Sequence, residues 1–323
     1  MNSPSTPFWL YNGHADTLFA KSLQSPPPAY RRELLPDSSG ETVVAYDFVD
    51  SPDSDAPLLV MFHGLEGSSR SHYAVEMMKA VQHKGWHGVV AHFRGCGGVT
   101  NTAPFFYHSG DTHEIGFMLA TLAARYREIY TVGISLGGNA LAKYLGEQGR
   151  LNADARQTLP HAAAVVSAPV DLTAAGSRFD RGLTRLLYTR YFLNSLIPKA
   201  EAFARFQTAS PLSDCQTLGD FDDLFTAPLH GFADRHDYYR RASSKPFLRD
   251  VDTPLLLLNA VNDPFLPPAA LPTESDVSAA VTLLQPLHGG HVGFVGKARG
   301  RLNIGWLPQT VLDYFDHQRN SKT

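Results

Sequence analysis

The sequence predicts an α/β protein in which helices flank a central, mainly parallel sheet. Short, continuously apolar runs recur along the 323-residue chain, and stretches with helical spacing of apolar residues lie between them. Strands that alternate with helices in this way form a sheet covered on both faces. The third observation is a serine between two glycines directly after one apolar run, because this pattern predicts a sharp turn between a strand and a helix.

The predicted strands differ in their burial pattern. The run at 43–49 partly alternates apolar and polar residues, which favours an antiparallel strand near a sheet edge. The other runs are continuously apolar and predict buried strands at 57–62, 87–93, 129–132, 162–166, 254–258 and 280–284. Helical spacing predicts helices at 73–83, 114–126, 140–146 and 306–315.

The alternation of strands and helices stops between residues 171 and 250. This stretch is rich in Arg, Tyr, Phe and Leu, and two parts of it have the pattern of short amphipathic helices. An ordinary connection is only about 4–6 residues long. We therefore predict a helical cap at 171–250 over the strand ends, between an N-terminal part of the core at 1–170 and a C-terminal part at 251–323. A packing element that never touches a ligand is the alternative.

Composition excludes several classes of function. The formal net charge of −3 does not favour binding to nucleic acid. The chain has no signal-peptide pattern and no apolar stretch near the 20 residues that a membrane span needs. Cys96 and Cys215 form no C-x-x-C pair, which is typical of a reducing compartment. We expect a cytoplasmic protein without an integral membrane segment, either a monomer or a weak homo-oligomer.

The segment Gly133-Ile134-Ser135-Leu136-Gly137 follows a predicted strand and precedes a predicted helix. In this context the G-x-S-x-G pattern is typical of the nucleophile elbow of the α/β-hydrolase fold. The serine sits on a strained turn, and side chains at the two glycine positions would collide with the neighbouring strand and helix. A chance Gly-Ser-Gly loop is the alternative interpretation. A serine at the elbow favours acyl transfer, whereas an aspartate there would displace halide.

Acyl transfer needs N–H donors for the negative oxygen of a tetrahedral intermediate. We expect the first donor to be the amide of Leu136, directly after the nucleophile. The second is expected from the glycine-rich loop at 63–68, and we assign it to the amide of Leu65, with Glu66 as the alternative. We interpret His63 as a structural residue of this loop, because the base is expected late in the chain in this fold.

The acid and the base are expected after the nucleophile, in that order. Asp263 follows the apolar run at 254–258 and could orient an imidazole there, although an aspartate before proline is also common in turns. His288 and His291 both follow the run at 280–284 and compete for the role of base. No cluster of ligands accompanies them at metal-binding spacing, so we expect neither a metal nor a cofactor.

Motifs along nearly the whole chain resemble those of the YheT-like branch of the α/β-hydrolases, which includes plant embryogenesis-associated esterases and membrane-anchored mammalian phospholipase relatives. The matching segments, in chain order, are Gly13-His14-Ala15-Asp16-Thr17, 63–68, 93–98, 107–111, 133–139, 221–223, 230–234, 237–239, 262–265 and 289–294. Asp16 departs from the family pattern, which has glutamine at this position.

The resemblance implies that Ser135, Asp263 and His291 form a catalytic triad in a carboxylesterase-type enzyme, and it selects His291 over His288. We therefore expect a serine hydrolase that acts on a small-molecule ester with a small or medium acyl group. A lipase or phospholipase for long acyl chains is one alternative, because the predicted cap is aromatic. A binding protein without turnover is the other.

Two further residues near the predicted site are interpreted as structural. Arg94 follows a central strand, and such a buried arginine usually pairs with carboxylates. We expect Asp111 or Asp223 to be its partner, and binding of a substrate carboxylate is the alternative. Cys96 is expected to be a small buried residue rather than a second nucleophile.

Overall fold

The computed structural model describes residues 3–203, 210–298 and 300–321 of the chain. The strands are β1 (Arg31–Pro36), β2 (Val43–Val49), β3 (Leu58–Phe62), β4 (His87–Ala91), β5 (Ile129–Ile134), β6 (Ala162–Val166), β7 (Leu255–Leu258), β8 (Val281–Leu284), β9 (Gly296–Ala298) and β10 (Arg301–Asn303). The first eight form one sheet in the order β1-β2-β4-β3-β5-β6-β7-β8, and β9 pairs with β10.

The central sheet is mainly parallel, as predicted. Strands β3 to β8 pair in parallel, whereas β2 runs antiparallel to both β1 and β4. The prediction of an antiparallel strand near the edge is therefore confirmed. The edge itself is β1. The apolar pattern does not reveal this strand, because exposed positions of it carry charged side chains. Arg31 pairs with Asp50, just after β2, and Arg32 pairs with Asp47 on β2.

Helices lie on both faces of the sheet. Their bounds are α1 (Gly13–Ser22), α2 (His72–Lys84), α3 (Thr112–Ala123), α4 (Leu136–Gly149), α5 (Leu172–Phe179), α6 (Gly182–Thr184), α7 (Arg190–Glu201), α8 (Leu218–Phe221), α9 (Ala227–Leu229), α10 (Arg235–Ala242) and α11 (Trp306–Asn320). Helix α4 begins four residues before the predicted start, because the chain enters the helix directly after Ser135.

Alternate residues of the buried central strands face two separate hydrophobic cores. Leu58, Val60 and Phe62 of β3 pack in the core on the side of α3 and α4. Leu59 and Met61 of the same strand pack in the core on the side of α2 and α11. This alternation follows from the two-residue repeat of a strand and explains why the strand sequences are continuously apolar.

Helices α5 to α10 lie in the long connection between β6 and β7. Two π-helical turns, Arg185–Thr189 and Asp222–Thr226, interrupt them. Leu193, Leu196 and Phe225 of this connection belong to the core on the side of α3 and α4, so the connection packs on the same face of the sheet as these helices. The division of the chain at 170 and 250 stays a prediction.

Candidate active site

Ser135 stands at a strained turn between β5 and α4. Its backbone has φ 51° and ψ −117°, and its amide donates to the carbonyl of Val166 on β6 at 2.9 Å. A Cβ on Gly133 would lie 2.7 Å from the carbonyl oxygen of Gly137, and one on Gly137 would lie 2.5 Å from that of His63. Both positions therefore require glycine, as the sequence pattern predicts.

Three side chains that are distant in the sequence form a hydrogen-bonded line. Nε2 of His291 lies 3.0 Å from Oγ of Ser135, and Nδ1 of the same ring lies 2.9 Å from Oδ2 of Asp263. They meet because β5, β7 and β8 are parallel, so the loops that follow these strands lie at one edge of the sheet. A carboxylate only accepts hydrogen bonds, so this line places the imidazole proton on Nδ1 and leaves Nε2 to accept from the Ser135 hydroxyl.

The aspartate of this line is enclosed and fixed. Asp263 is buried, and its second oxygen accepts from the amide of Phe265 at 2.8 Å. The ring of Phe265 also packs against the ring of His291, with centroids 4.1 Å apart. The carboxylate and the imidazole are therefore held together by packing as well as by their hydrogen bond.

The loop of His291 is held by the N-terminal helix α1, a contact that the sequence patterns did not assign. The amide of His291 donates to Oγ1 of Thr17 at 2.8 Å, and the Thr17 hydroxyl donates to the carbonyl of Gly13 at 2.7 Å. Gly290 has φ 54°, and a Cβ there would meet the Gly13 carbonyl at 2.6 Å. The segment around Thr17 thus fixes the backbone of the base, and its resemblance to a family motif is the signal that could have found it.

Asp16 lies buried behind the same loop. One carboxyl oxygen accepts from the amide of Val295 at 3.2 Å, and the other has no hydrogen-bond partner within the described residues. Burial raises the pKa of Asp16 from 3.8 to about 6. Burial therefore extends the range of the neutral carboxyl upwards to about pH 6 at this position.

Replacing Asp16 with asparagine is expected to stabilise the fold in a pH-dependent way. A raised pKa in the folded chain contributes stability below the unfolded pKa of 3.8, and this contribution is lost as the pH rises through about 6. We expect Asp16→Asn to raise the free energy of unfolding by roughly 2 kcal/mol at pH 8 and by much less at pH 4. Urea unfolding at both pH values, with the exposed Asp313→Asn as control, measures this. An equal gain at both values would contradict the assignment.

The loop after β3 offers one unoccupied amide. The amide of Gly64 donates to the Tyr73 hydroxyl at 3.1 Å, and that of Glu66 donates to the Tyr107 hydroxyl at 2.9 Å. Within the described part of the chain, the amide of Leu65 has no acceptor. This geometry favours Leu65 over the alternative Glu66 as a donor to a bound oxygen. Leu136 is the first residue of α4, where amides lack intrahelical acceptors.

His63 holds this loop in place and is not poised as a base. Its Nδ1 lies 2.7 Å from the carbonyl oxygen of Gly64, and its Nε2 accepts from the amide of Phe93 at 3.1 Å. Complete burial lowers the pKa of His63 to about 3. A neutral ring with both nitrogens engaged agrees with the structural role predicted for it.

The side chain of Glu66 connects this loop to α7. Its carboxylate accepts from the Tyr107 hydroxyl at 2.7 Å, from the Ser195 hydroxyl, and from Nζ of Lys199 at 2.7 Å. Glu66 has φ 55°, an unusual conformation for a residue with a side chain. Three contacts therefore fix a strained residue directly beside the Leu65 amide.

A cavity of about 460 Å³ opens beside Ser135. Apolar and aromatic side chains from the sheet edge and from the connection between β6 and β7 form much of its wall. They include Leu65, Phe106, Leu172, Phe179, Phe192, Leu196, Phe221, Tyr238, Tyr239 and Phe265. Lys21, Gln24 and Arg70 add a polar part to the wall. The cavity can enclose an apolar group whose reactive carbon reaches Ser135.

Of the two partners predicted for Arg94, one is confirmed and the other is not. Arg94 binds Asp37, Asp111 and Glu114 in a buried cluster, so its predicted pairing with Asp111 is confirmed. The alternative partner Asp223 is wrong, because that carboxylate lies 3.3 Å from Arg235 instead. These contacts occupy the guanidinium.

Two other residues are also accounted for. Cys96 is a buried free thiol, and burial raises its pKa to about 12. The ring of His288, the other candidate base, stacks on Tyr11 with centroids 3.9 Å apart. Within the described ranges, no group of three or more His, Cys, Asp or Glu side chains is arranged to hold a metal ion.

The fold and the serine elbow define a hydrolase, and comparison with known families agrees. A family model described as alpha/beta hydrolase fold matches residues 57–298. The chain belongs to this family. Its relatives place it more closely, in the YheT-like branch that the sequence motifs resemble.

Three relatives illustrate this placement. YheT of Escherichia coli K12, a candidate esterase, is 40% identical over 315 residues, which cover 92% of this chain and 87% of YheT. The embryogenesis-associated protein EMB8 of Picea glauca is 30% identical and covers 95% of this chain and 71% of its own length. Human phospholipase ABHD3 is 29% identical, and the match covers 89% of this chain and 72% of ABHD3.

Solved structures share the fold at low sequence identity. Est1E from Butyrivibrio proteoclasticus superposes with a TM-score of 0.53 at 12% identity, over 90% of this chain and 99% of Est1E. This similarity supports the fold alone. No helix in the described residues combines the length and the apolar character that crossing a membrane requires.

Proposed function

We propose that this protein is a serine carboxylic-ester hydrolase that acts through Ser135, His291 and Asp263. One observation supports the proposal above all others, namely the hydrogen-bonded line from the serine hydroxyl through the imidazole to the carboxylate. This arrangement can deprotonate the hydroxyl as it attacks a carbonyl carbon. The names of two relatives, an esterase and a phospholipase, support ester hydrolysis, because both denote enzymes that cleave esters.

The proposed reaction has two steps. In the first, Oγ of Ser135 attacks the ester carbonyl, His291 takes the hydroxyl proton, and the same proton then passes to the leaving alcohol as the acyl-enzyme forms. In the second, His291 takes a proton from water as the water oxygen attacks the acyl carbon. That proton then passes to Oγ of Ser135 as the bond between Oγ and the acyl carbon breaks and the acid leaves. The amides of Leu65 and Leu136 stabilise the negative oxygen in both steps, and each is expected to contribute about 3–4 kcal/mol.

The proposed substrate is an ester with a small or medium apolar acyl group. The cavity volume and its largely apolar wall support this choice. Phospholipase ABHD3 and the aromatic lining favour a second candidate, a lipase or phospholipase for long acyl chains. The proposed location is the cytoplasm, since both cysteines are free thiols.

Two measurements test the proposal. A series of p-nitrophenyl esters from acetate to palmitate measures kcat/KM against chain length, and we expect a maximum at four to eight carbons. A maximum at palmitate would favour the long-chain alternative. A fluorophosphonate label should modify Ser135 in the folded protein. A tightly retained ester with neither label nor product would instead indicate a binding protein without turnover.

Glu66 provides a separate test of the oxyanion loop. Glu66→Gln keeps the side-chain size but removes the ion pair with Lys199, so the Leu65 amide is expected to lose its fixed position. Because that amide acts mainly in the transition state, we expect kcat to fall about tenfold with little change in KM. Steady-state kinetics on p-nitrophenyl butyrate measure this.

Glu147→Gln is the matched control for this test, because it removes another glutamate–lysine pair, with Lys143, from α4. It is expected to leave both constants unchanged. A rise in KM with unchanged kcat in Glu66→Gln would show that the residue acts on binding of the ester rather than on the oxyanion.

A further inference from the structure

We propose that the exposed face of the segment 181–191, which we name the docking face, binds the surface of an anionic lipid bilayer. The docking face consists of the apolar side chains Leu183, Leu186, Leu187 and Tyr191 and the basic side chains Arg181, Arg185 and Arg190. It comprises α6, the π-helical turn after it, and the start of α7. This inference goes beyond ester hydrolysis, because it concerns a membrane-binding surface rather than the reaction at Ser135.

The apolar part of the docking face is unusually exposed. Leu183 is 58% exposed, Leu186 74%, Leu187 41% and Tyr191 61%. Single exposed leucines are ordinary, but four large apolar side chains within nine residues form a patch that needs a partner. Their side chains are too exposed to contribute much to the core.

A second exposed apolar group adjoins this patch. Nζ of Lys21 on α1 lies 4.7 Å from the ring centroid of Tyr191, and the rings of His14 and Tyr188 stack 5.7 Å apart. These contacts place α1 directly beside the docking face. Leu18 lies one turn before Lys21 and is 43% exposed, so the apolar surface continues onto this helix.

The charge of the docking face identifies its partner. Residues 181–200 contain three arginines and one lysine but no Asp or Glu, although the whole chain has a net charge of −3. Arg181, Arg185 and Arg190 are exposed, and no ion pair within the described residues involves them. Asp180, the neighbour of Arg181 in the sequence, pairs with Arg235 instead. A short segment with exposed leucines and unpaired arginines is typical of elements that lie in the interface of an anionic membrane.

A second copy of the chain fits this face less well. In a symmetric pair the same patch would meet itself, which would bring the arginines of both copies together. An anionic bilayer instead offers opposite charge to the arginines and an apolar layer to the leucines. Tyr191 also lines the cavity beside Ser135, so a bilayer bound here would lie at the edge of that cavity.

Vesicle flotation of the full chain tests the proposal. We expect the protein to float with vesicles of equal parts phosphatidylglycerol and phosphatidylcholine in about 0.1 M salt, and to float poorly with pure phosphatidylcholine. Leu186→Asp is expected to weaken binding to the anionic vesicles more than tenfold. Arg185→Gln with Arg190→Gln is expected to weaken it about twenty-fivefold, since each surface charge contributes roughly fivefold.

Leu151→Asp is the matched control, because Leu151 is 40% exposed just beyond the end of α4 that is distant from Ser135. It should bind vesicles like the wild type. Hydrolysis of soluble p-nitrophenyl acetate should be unchanged in Leu186→Asp, which shows that the variant is folded and separates this test from the test of the proposed function. Failure of the wild type to float with anionic vesicles would overturn the proposal, as would equal losses in Leu151→Asp and Leu186→Asp. A Leu186-dependent dimer without vesicle binding would assign the face to a second copy instead.

Discussion

Replacement of Ser135 by alanine is expected to lower kcat/KM for p-nitrophenyl butyrate by roughly 10⁴–10⁶-fold, because the acyl-enzyme cannot form without Oγ. The oxyanion donors and the cavity remain, so a small residual rate above that of water is expected. Initial rates at matched enzyme concentrations measure the loss. The fluorophosphonate label should be lost with the hydroxyl.

Controls separate this chemical loss from unfolding. Ser22→Ala changes an exposed serine on α1 and should leave the rate unchanged. Thermal unfolding of Ser135→Ala should remain cooperative, since alanine adds no atoms to the turn. Equal hydrolysis by wild type and Ser135→Ala would show that another group is the nucleophile and would remove the basis of the proposed function.

Much of the fold could be predicted from the sequence because the parallel strands are buried on both faces. Strands β3 to β8 all appear as apolar runs, and each forms within two residues of the predicted bounds. Strand β1 could not be recognised in this way. Its pattern is charged and half exposed, and it is held by ion pairs such as Arg32 with Asp47, which become visible only once β1 and β2 are paired.

In the candidate site, too, local sequence patterns could be predicted, whereas contacts between residues far apart in the sequence could not. The elbow at Ser135 is a local pattern, so strand, serine and glycines identify it in the sequence. The contact between Thr17 and His291 joins positions 274 residues apart, and that between Glu66 and Ser195 joins positions 129 apart. No spacing rule connects such pairs, because they meet only through the packing of helices on the sheet edge.

Replacement of Asp263 by asparagine is expected to lower kcat about 10⁴-fold while the fold is retained. An amide NH₂ facing Nδ1 of His291 would donate rather than accept, so the imidazole proton would move to Nε2. A proton on Nε2 prevents the ring from accepting the Ser135 proton. Steady-state kinetics and the rate of fluorophosphonate labelling measure the effect, and both should fall together.

The matched control for this variant is Asp252→Asn, which removes an exposed carboxylate that pairs with Arg156. Its kcat should equal that of the wild type. The double variant Ser135→Ala with Asp263→Asn should be no slower than Ser135→Ala alone. If Asp263 acts only through His291 and Ser135, its replacement has no further effect once the serine hydroxyl is gone. Multiplied losses in the double variant would mean that Asp263 acts independently of the serine, and the hydrogen-bonded line would then not be the catalytic unit.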